Sequence, residues 1–286
     1  MTPTLVRHHP SHADSTPRVD LGARARDWSE IQERMLVPLY ETVHERLEVG
    51  PATRLLGLHC GSGLALLMAA VRGAAVTGVD SSPERLVLAR ERLLPDPASG
   101  VRGRGRAARI VQGRPGDTVD GRAPSYNLIT AFDPIGCLAG DAEGLVGLLA
   151  DAVPLAERGA AVVLAGWGPP ERCATSSVLR VAAKLADPLR GAGCWRPACR
   201  DDLEEVAERA GLRIDGSGRV SCPFGYAGVD NAVRGLLSTG LFDAGIVAAD
   251  EEQVGKELAE ALHPYLRADG TVWMPNVFRY LIARVR

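Results

Sequence analysis

Two short stretches carry residues whose types and spacing could do chemistry. Residues 55–63 read LLGLHCGSG and end in two closely spaced glycines, Gly61 and Gly63, and the stretch GVDSSPERL places Asp80 after an apolar run. Glycines allow a tight turn from strand to helix and let the backbone approach a ligand without an intervening Cβ atom. A carboxylate at the end of the next strand can accept hydrogen bonds from two ribose hydroxyls. Together the stretches predict a nucleoside site.

Two side chains near these stretches could move a proton. Asp133, in the run AFDPIG, follows an apolar strand and could act as a base or orient an acceptor; a cap or turn carboxylate before Pro134 is the alternative. His59 titrates near neutrality and could shuttle a proton, although a histidine that only packs at a strand end is equally ordinary. Cys137 has no His or Asn at a recognisable spacing, which argues against a nucleophile there.

The elements that must position these residues alternate along the chain. Strands are predicted at residues 54–58, 75–79, 109–112, 126–132 and 160–165, and helices at 63–71, 82–93 and 142–156. Strands that are continuously apolar and separated by helices are typical of a parallel sheet covered on both faces. The sequence therefore predicts an α/β fold with a doubly wound, mostly parallel sheet.

The two ends of the chain depart from this alternation. Residues 1–20 are polar and aperiodic, which predicts a flexible arm, and residues 21–50 form a cap in which apolar positions recur at helical spacing over 28–47. The core is assigned to 51–286. Within it, two or three helices at about 228–266 are expected to form a lid over the ligand-binding edge of the sheet.

The tail should also complete the sheet. A helix at 200–210 ends at Gly211 and leads into a strand at 212–220, and a further strand at 271–285 closes the chain.

Composition excludes several classes of partner. Of 286 residues, 46% are hydrophobic and 24% charged, with a formal net charge of -2. Nucleic acids and anionic membranes select a clustered excess of Lys and Arg, so neither is expected as a partner. The basic tract at 101–109 lacks interleaved aromatics and is interpreted as a solvated loop. No stretch approaches the ~18 apolar residues of a membrane span and no secretory apolar region is present, which predicts a cytoplasmic protein.

The cysteines and the remaining histidines favour structural roles. Six cysteines are scattered through a chain large enough to bury its own core, which argues for reduced thiols. Cys194 and Cys199 form the closest pair but have no nearby His, so no metal site is expected. His44 and His263 are predicted to be surface residues.

The two motifs resemble those of a known family. LLGLHCGSG followed by GVDSSPERLVLARERL is similar to the first and second motifs of class I S-adenosylmethionine-dependent methyltransferases, usually close to LLDLGCGTG and GVDxSPxxLxxAR. The likeness continues through SYNLITAFDPIG to the ending DGTVWMPNVFRYLIARVR. It is strongest with small-molecule enzymes of bacterial secondary metabolism, including antibiotic biosynthesis. A seven-stranded Rossmann-like sheet and S-adenosylmethionine as cofactor are what the resemblance implies.

The resemblance also implies where the cofactor would lie. Gly61 and Gly63 would face its methionine end, and Asp80 its ribose. The other residues implied to contact the cofactor are Trp28, Tyr40, His59, Cys60, Ser81, Gly113, Arg114 and Ala131.

The chain departs from the family at four positions. Gly57 replaces an acidic residue on the first strand, His59 replaces the first glycine, and Arg114 and Asn127 each replace an Asp. A lost hydrogen bond to a charged group costs roughly 1.5–3 kcal/mol, so several losses could weaken the cofactor by orders of magnitude. Three hypotheses stay open: a methyltransferase, a methyltransferase-like enzyme that cyclises or dehydrates its substrate, and a non-catalytic binding protein.

Aromatic residues at strand ends suggest the acceptor. A small, largely apolar or aromatic natural product would suit a pocket walled by such rings, although aromatics there also serve as core. The candidates for this wall are Phe132, Trp167, Phe224 and Tyr226. A homodimer is a further expectation.

Overall fold

The computed structural model describes residues 20–94, 108–118, 125–186, 199 and 201–286. Of the expected N-terminal arm only Asp20 falls within these residues, and of the basic tract only Ala108 and Arg109. The prediction of a flexible arm and of a solvated basic loop therefore lies outside the described residues.

Seven strands form the main sheet and two more form a small one. The strands are β1 (Arg54–Leu58), β2 (Ala75–Asp80), β3 (Ala108–Gln112), β4 (Tyr126–Ile135), β5 (Ala156–Trp167), β6 (Arg213–Ser221), β7 (Phe224–Tyr226), β8 (Val272–Met274) and β9 (Val277–Arg284). The main sheet has the order β3-β2-β1-β4-β5-β9-β6, and β9 runs in the direction opposite to that of its other six described strands. The prediction of a seven-stranded, mostly parallel, doubly wound sheet is confirmed.

Helices cover both faces of the main sheet. They are α1 (Leu21–Asp27), α2 (Val37–Arg46), α3 (Leu64–Val71), α4 (Pro83–Leu93), α5 (Asp141–Ala152), α6 (Thr175–Ala186), α7 (Asp202–Arg209), α8 (Val229–Leu237), α9 (Asp243–Ala248) and α10 (Glu251–Leu262). Leu149 of α5 and Val206 of α7 belong to one buried apolar cluster, while Leu39 of α2, Leu66 of α3 and Leu258 of α10 belong to the other. None of the helices in the described ranges is long and apolar enough to span a membrane.

The cap is not the single helix that its periodicity predicts. Between α1 and α2 the chain forms a π-helical turn at Trp28–Gln32 and a 3-10 turn at Glu33–Leu36. Pro38, which opens α2, has no N–H to donate to the preceding turn, so a continuous α-helix cannot pass this point. The irregular turns change which side chains face inward, and both Gln32 and Glu33 are buried.

The tail differs from the predicted tail in two places. The expected strand over 271–285 divides at Pro275 into β8 and β9, because proline cannot donate to a sheet ladder. β8 pairs instead with β7, a strand that the sequence analysis missed, as it missed helix α6. The helices expected at 228–266 are present as α8, α9 and α10.

Candidate functional site

The carboxyl ends of β1 and β4 create the setting of the site. β1 is followed in sequence by β2 on one side, whereas β4 lies on its other side, so the strand order reverses between β1 and β4. Ligands of open α/β sheets bind at such a reversal, outside the carboxyl ends of the strands. The residues of the site lie on these strand ends and on the elements that surround them.

The glycine-rich turn after β1 runs through left-handed backbone. His59, Gly61 and Gly63 have φ values of +46°, +57° and +82°, and Gly63 caps the start of α3. Glycine adopts this region freely, whereas a residue with a Cβ atom pays roughly 1–2 kcal/mol. His59 therefore holds the conformation of the glycine whose place it takes, at a cost in stability.

Asp80 ties this turn to the end of β2. Its carboxylate is 5% exposed; Oδ2 accepts the Gly61 N–H at 2.8 Å and Oδ1 accepts the Ser82 N–H at 2.9 Å. Each carboxylate oxygen keeps a further lone pair, so the group can still accept from a ligand. Its first structural task, however, is to hold the turn and the start of α4 together.

Glu33 of the cap is a site residue that the sequence analysis missed. Its side chain is nearly fully buried, and Oε2 accepts from the Arg92 guanidinium at 2.8 Å and from the Ser62 hydroxyl. Oε1 accepts the Leu64 N–H at the start of α3 at 3.3 Å, where a negative charge is favourable. Glu33 begins the 3-10 turn of the cap, so the spacing of a regular α-helix does not predict which way its side chain faces.

Side chains of the protein fill most of the pocket beside the glycine-rich turn. Trp28 lies beside Gly61, and the Arg85 guanidinium stacks 4.4 Å above the centre of the indole. A Cβ atom at Gly57 would lie 2.8 Å from Leu66 Cδ2, so leucine occupies the space of the missing carboxylate. The cavity that remains has a volume of about 30 Å³, far below the roughly 300 Å³ at which small-molecule pockets begin.

His59 and Asp133 meet at the rim of this pocket. His59 Nδ1 lies 3.7 Å from Asp133 Oδ2, and the two side chains are 49% and 60% exposed. The Asp133 carboxylate raises the pKa of His59, although partial burial acts in the opposite direction. Asp133 lies within β4 and not in a turn, so the two side chains place an acid and a base side by side at the rim of the pocket.

The other predicted cofactor residues fall into three pairs. Tyr40 and Cys60 line the filled pocket, and burial raises the pKa of both side chains. Ser81 and Arg114 are exposed, and the Arg114 N–H donates to Asp117 at 2.8 Å. The remaining two predicted residues are Gly113, which donates its N–H to the Asp80 carbonyl, and Ala131, which is buried in β4.

Two residues of the predicted aromatic wall, Phe224 and Tyr226, are core, whereas Trp167 and Phe132 each line a cavity. Phe224 and Tyr226 are each 2% exposed and pack edge to face, and the Tyr226 hydroxyl donates to Gln32 at 2.9 Å. Trp167 packs against Phe278 with ring centres 4.6 Å apart. Of the four predicted wall residues, Phe132 lines the filled pocket. Strand-end aromatics here supply packing, because β7 and β9 place them between the sheet and the lid.

Two further predictions concern the exposure of His44 and a metal site. His44 was expected at the surface but is 1% exposed, and burial lowers its pKa to about 4. Over the described ranges, no group of three or more His, Cys, Asp or Glu side chains is arranged to hold a metal ion.

Comparison with known proteins gives the fold a name. The sequence matches no protein-family model and no curated protein. A candidate methyltransferase from Bacillus halodurans C-125 superposes with a TM-score of 0.53 at 14% identity, over 86% of this chain and 97% of that one. YjhP from E. coli gives 0.51 at 19% identity over 92% and 99%, and the [4+2]-cyclase SpnF gives 0.51 at 14% over 86% and 80%. The chain has the class I methyltransferase fold.

The residue types of the site suit S-adenosylmethionine, but the cavity is too small for it in the present arrangement. A left-handed glycine turn, a buried Asp80 and the carboxylate of Glu33 supply a cradle and acceptors for an adenosine and an ammonium group. The Trp28 Nε1 atom is buried without an acceptor among the described residues, so a donor is spare beside the turn. Trp28 and Arg85 must move before a ligand of that size can enter.

Proposed function

We propose that this protein is an S-adenosylmethionine-dependent methyltransferase that acts on a small natural product. The hydrogen bond from Gly61 to the buried Asp80 carries the proposal, because it joins a glycine turn and a strand-end carboxylate at the reversal of the sheet. These are the two halves of a nucleoside site. The methyltransferase fold supports the same conclusion.

The residues of the site take distinct roles in this proposal. When bound, S-adenosylmethionine supplies the methyl group. The turn at Gly61 and Gly63 lets the backbone approach the cofactor, and Asp80 accepts from its ribose. Where the acceptor loses a proton during the transfer, His59 and Asp133 take that proton. An acceptor that loses no proton needs no base.

A binding titration tests the proposal. We expect S-adenosylmethionine and S-adenosylhomocysteine to bind the full chain at submillimolar concentration in calorimetry. Asp80→Asn, which keeps an oxygen for Ser82, should weaken binding roughly tenfold to a hundredfold, because it removes a charged acceptor. Asp269→Asn is the matched control, since Asp269 also caps a backbone N–H but lies in an exposed turn. Thermal unfolding should show that both variants fold.

Two results would contradict the proposal. The absence of binding at millimolar ligand would exclude the cofactor, and equal affinities for Asp80→Asn and the wild type would remove Asp80 from the site.

The filled pocket favours a second candidate, a cyclisation or dehydration without methyl transfer. The space between Trp28 and Leu66 is too small for a nucleoside in the present arrangement, while His59 and Asp133 stay accessible. One structural neighbour, SpnF, is a [4+2]-cyclase, so the fold accommodates such chemistry. Conversion of a substrate without S-adenosylmethionine and without a methylated product would favour this candidate.

A further inference from the structure

A second cavity lies on the far side of the His59–Asp133 pair, and we name it the lid cavity. It has a volume of about 240 Å³ and lies between the carboxyl ends of β1 and β4, helix α5, and the loop that joins α8 to α9. The loop contributes Thr239 and Leu241, so the lid reaches the catalytic edge at this point. None of the candidate functions above assigns a ligand to this cavity.

The size and walls of the lid cavity restrict what it can hold. Its volume exceeds the roughly 150 Å³ of a cavity that takes benzene, and it is below the ~300 Å³ at which drug-sized pockets begin. A molecule with one or two rings fits this range. The apolar residues of the wall are Leu58, Ala131, Pro134, Ile135, Cys137, Leu138, Leu145, Leu148 and Leu241.

The polar groups of the lid cavity are mainly acceptors. Asp133 and Asp141 both line it. Asp141 Oδ2 accepts the N–H groups of Gly136, Cys137 and Leu138 at 2.7–3.1 Å, so these donors are already satisfied and offer nothing to an anion. Asp141 Oδ1 is buried, and no described residue donates to it. Such an acceptor is expensive to leave unpaired.

The carboxylates outweigh the positive charge at this cavity. His59 is the one basic side chain among the described residues that line the cavity, against the two carboxylates of Asp133 and Asp141. The Cys137 thiol on the same wall responds to both carboxylates: burial raises its pKa most, and Asp141 and Asp133 raise it further. A cationic donor is therefore favoured over a neutral one, and an anion is disfavoured.

We propose that the lid cavity binds a small amine with one or two rings, its apolar body against α5 and its amino group toward the exposed carboxylate of Asp133. That this amine is the acceptor of the reaction rests on the proposed function, but its binding does not. Asp133 and His59 both line the cavity, so the pair can receive an amine proton.

Two glycines of α5 provide a clean test of the site. Gly144 lines the lid cavity, and a Cβ atom there would meet no atom within 4 Å, so a larger side chain can enter the cavity without a clash. Gly147 lies one turn further along the same helix, is equally free of neighbours, and does not line the cavity. Gly144→Phe and Gly147→Phe therefore make the same chemical change on one helix and differ in whether they fill the cavity.

The experiment uses three isosteric probes on the full chain. Binding of 1-naphthylmethylamine, 1-naphthylmethanol and 1-naphthoate is measured by calorimetry against the wild type, both glycine variants and Asp133→Asn. We expect the amine to bind at least tenfold more tightly than the alcohol, and the carboxylate not to bind. Gly144→Phe should weaken the amine at least tenfold, Gly147→Phe should leave it unchanged, and Asp133→Asn should reduce the preference for the amine.

The outcomes separate this inference from the proposed function. If none of the probes binds, if all three bind equally, or if Gly144→Phe leaves amine binding unchanged, the inference is overturned. S-adenosylmethionine affinity is measured in the same samples, and Gly144→Phe should not alter it. Amine binding without cofactor binding would overturn the proposed function alone, and cofactor binding without amine binding would overturn the inference alone.

Discussion

At the scale of single residues, the site replaces one buried charge by another. The first strand carries Gly57 where the family that the sequence resembles has a carboxylate, and Leu66 packs into the space. The carboxylate of Glu33 enters the same region from the cap and is held by Arg92 and Ser62. A buried carboxylate needs such partners, because an unpaired one loses several kcal/mol on leaving water. The cap therefore brings a buried negative charge into this region.

This packing predicts the behaviour of Gly57→Asp. Alone, the substitution should destabilise the protein by about 3 kcal/mol or more, since the new side chain meets Leu66 and its carboxylate has no partner. Together with Leu66→Ala the cost should be at least 1 kcal/mol below the sum of the single costs, because the second change opens room for the first. Urea unfolding of the four proteins measures this coupling, and strictly additive costs would contradict the packing argument.

At the scale of elements, the cap and the lid hold each other in place over the pocket. Arg24 of α1 pairs with Asp243 of α9 at 2.5 Å, and Arg234 of α8 pairs with Asp27. Arg85 of α4 donates to the Ser238 carbonyl at 3.3 Å while it stacks on Trp28. The residue that fills the pocket is thus held by contacts that reach the lid, so opening the pocket involves both elements.

Weakening these ties should make the pocket easier to open. Ion pairs at a surface contribute roughly 0–1 kcal/mol each, so Arg24→Gln with Arg234→Gln should lower the free energy of unfolding only slightly. If the open form binds S-adenosylmethionine, its apparent affinity should rise by up to roughly tenfold, because less free energy is spent on opening. Hydrogen exchange of the cap amides should become faster.

The control for this prediction lies at the far edge of the sheet. Arg284 pairs with Asp215 at 2.8 Å with similar exposure, so Arg284→Gln should change stability comparably without altering cap exchange or cofactor affinity. Unchanged cap exchange in the double variant would show that the two ion pairs do not hold the pocket closed.

At the scale of the whole molecule, most ionisable side chains of the described residues stay at least partly exposed. His44 is an exception, since it is 1% exposed, packs edge-on against Phe132, and finds no partner for either ring nitrogen in the described part of the chain. Burial lowers its pKa from 6.5 to about 4 because the charged ring would lose its hydration. The folded protein therefore holds this histidine neutral.

Acid should unfold the protein partly through His44. Below pH ~6.5 the unfolded chain binds a proton there that the folded chain refuses until about pH 4, so this stability is complete above pH 6.5 and is lost as the pH falls. The total loss is about 3 kcal/mol. His44→Leu should remove this part of the pH dependence in urea unfolding between pH 7 and 4, whereas the exposed His263→Leu should not. Parallel curves for His44→Leu and the wild type would refute the assignment.

The sequence alone determined the order and type of most elements. Strand β1 and helix α4 were predicted almost to the residue, since apolar runs and the Ser-Pro-Glu start of α4 act within a few neighbouring residues. The glycine turn and Asp80 were likewise predicted to lie side by side, because the ends of adjacent parallel strands meet at one edge. Local pattern failed where proline interrupts it, in the cap and at Pro275.

Only the tertiary structure decided what fills the site. Glu33 and Ser62, Trp28 and Arg85, and the lid loop and α5 are far apart in sequence, and no local pattern states that they meet. Their contacts depend on how the π-helical turn rotates the cap and how far the lid reaches over the sheet. Periodicity reports which face of an element is buried, whereas the identity of its neighbours is set by packing of the whole chain. The motif that predicts a nucleoside site could therefore be found in the sequence. The packing of Trp28 into that site and the charged lid cavity could not.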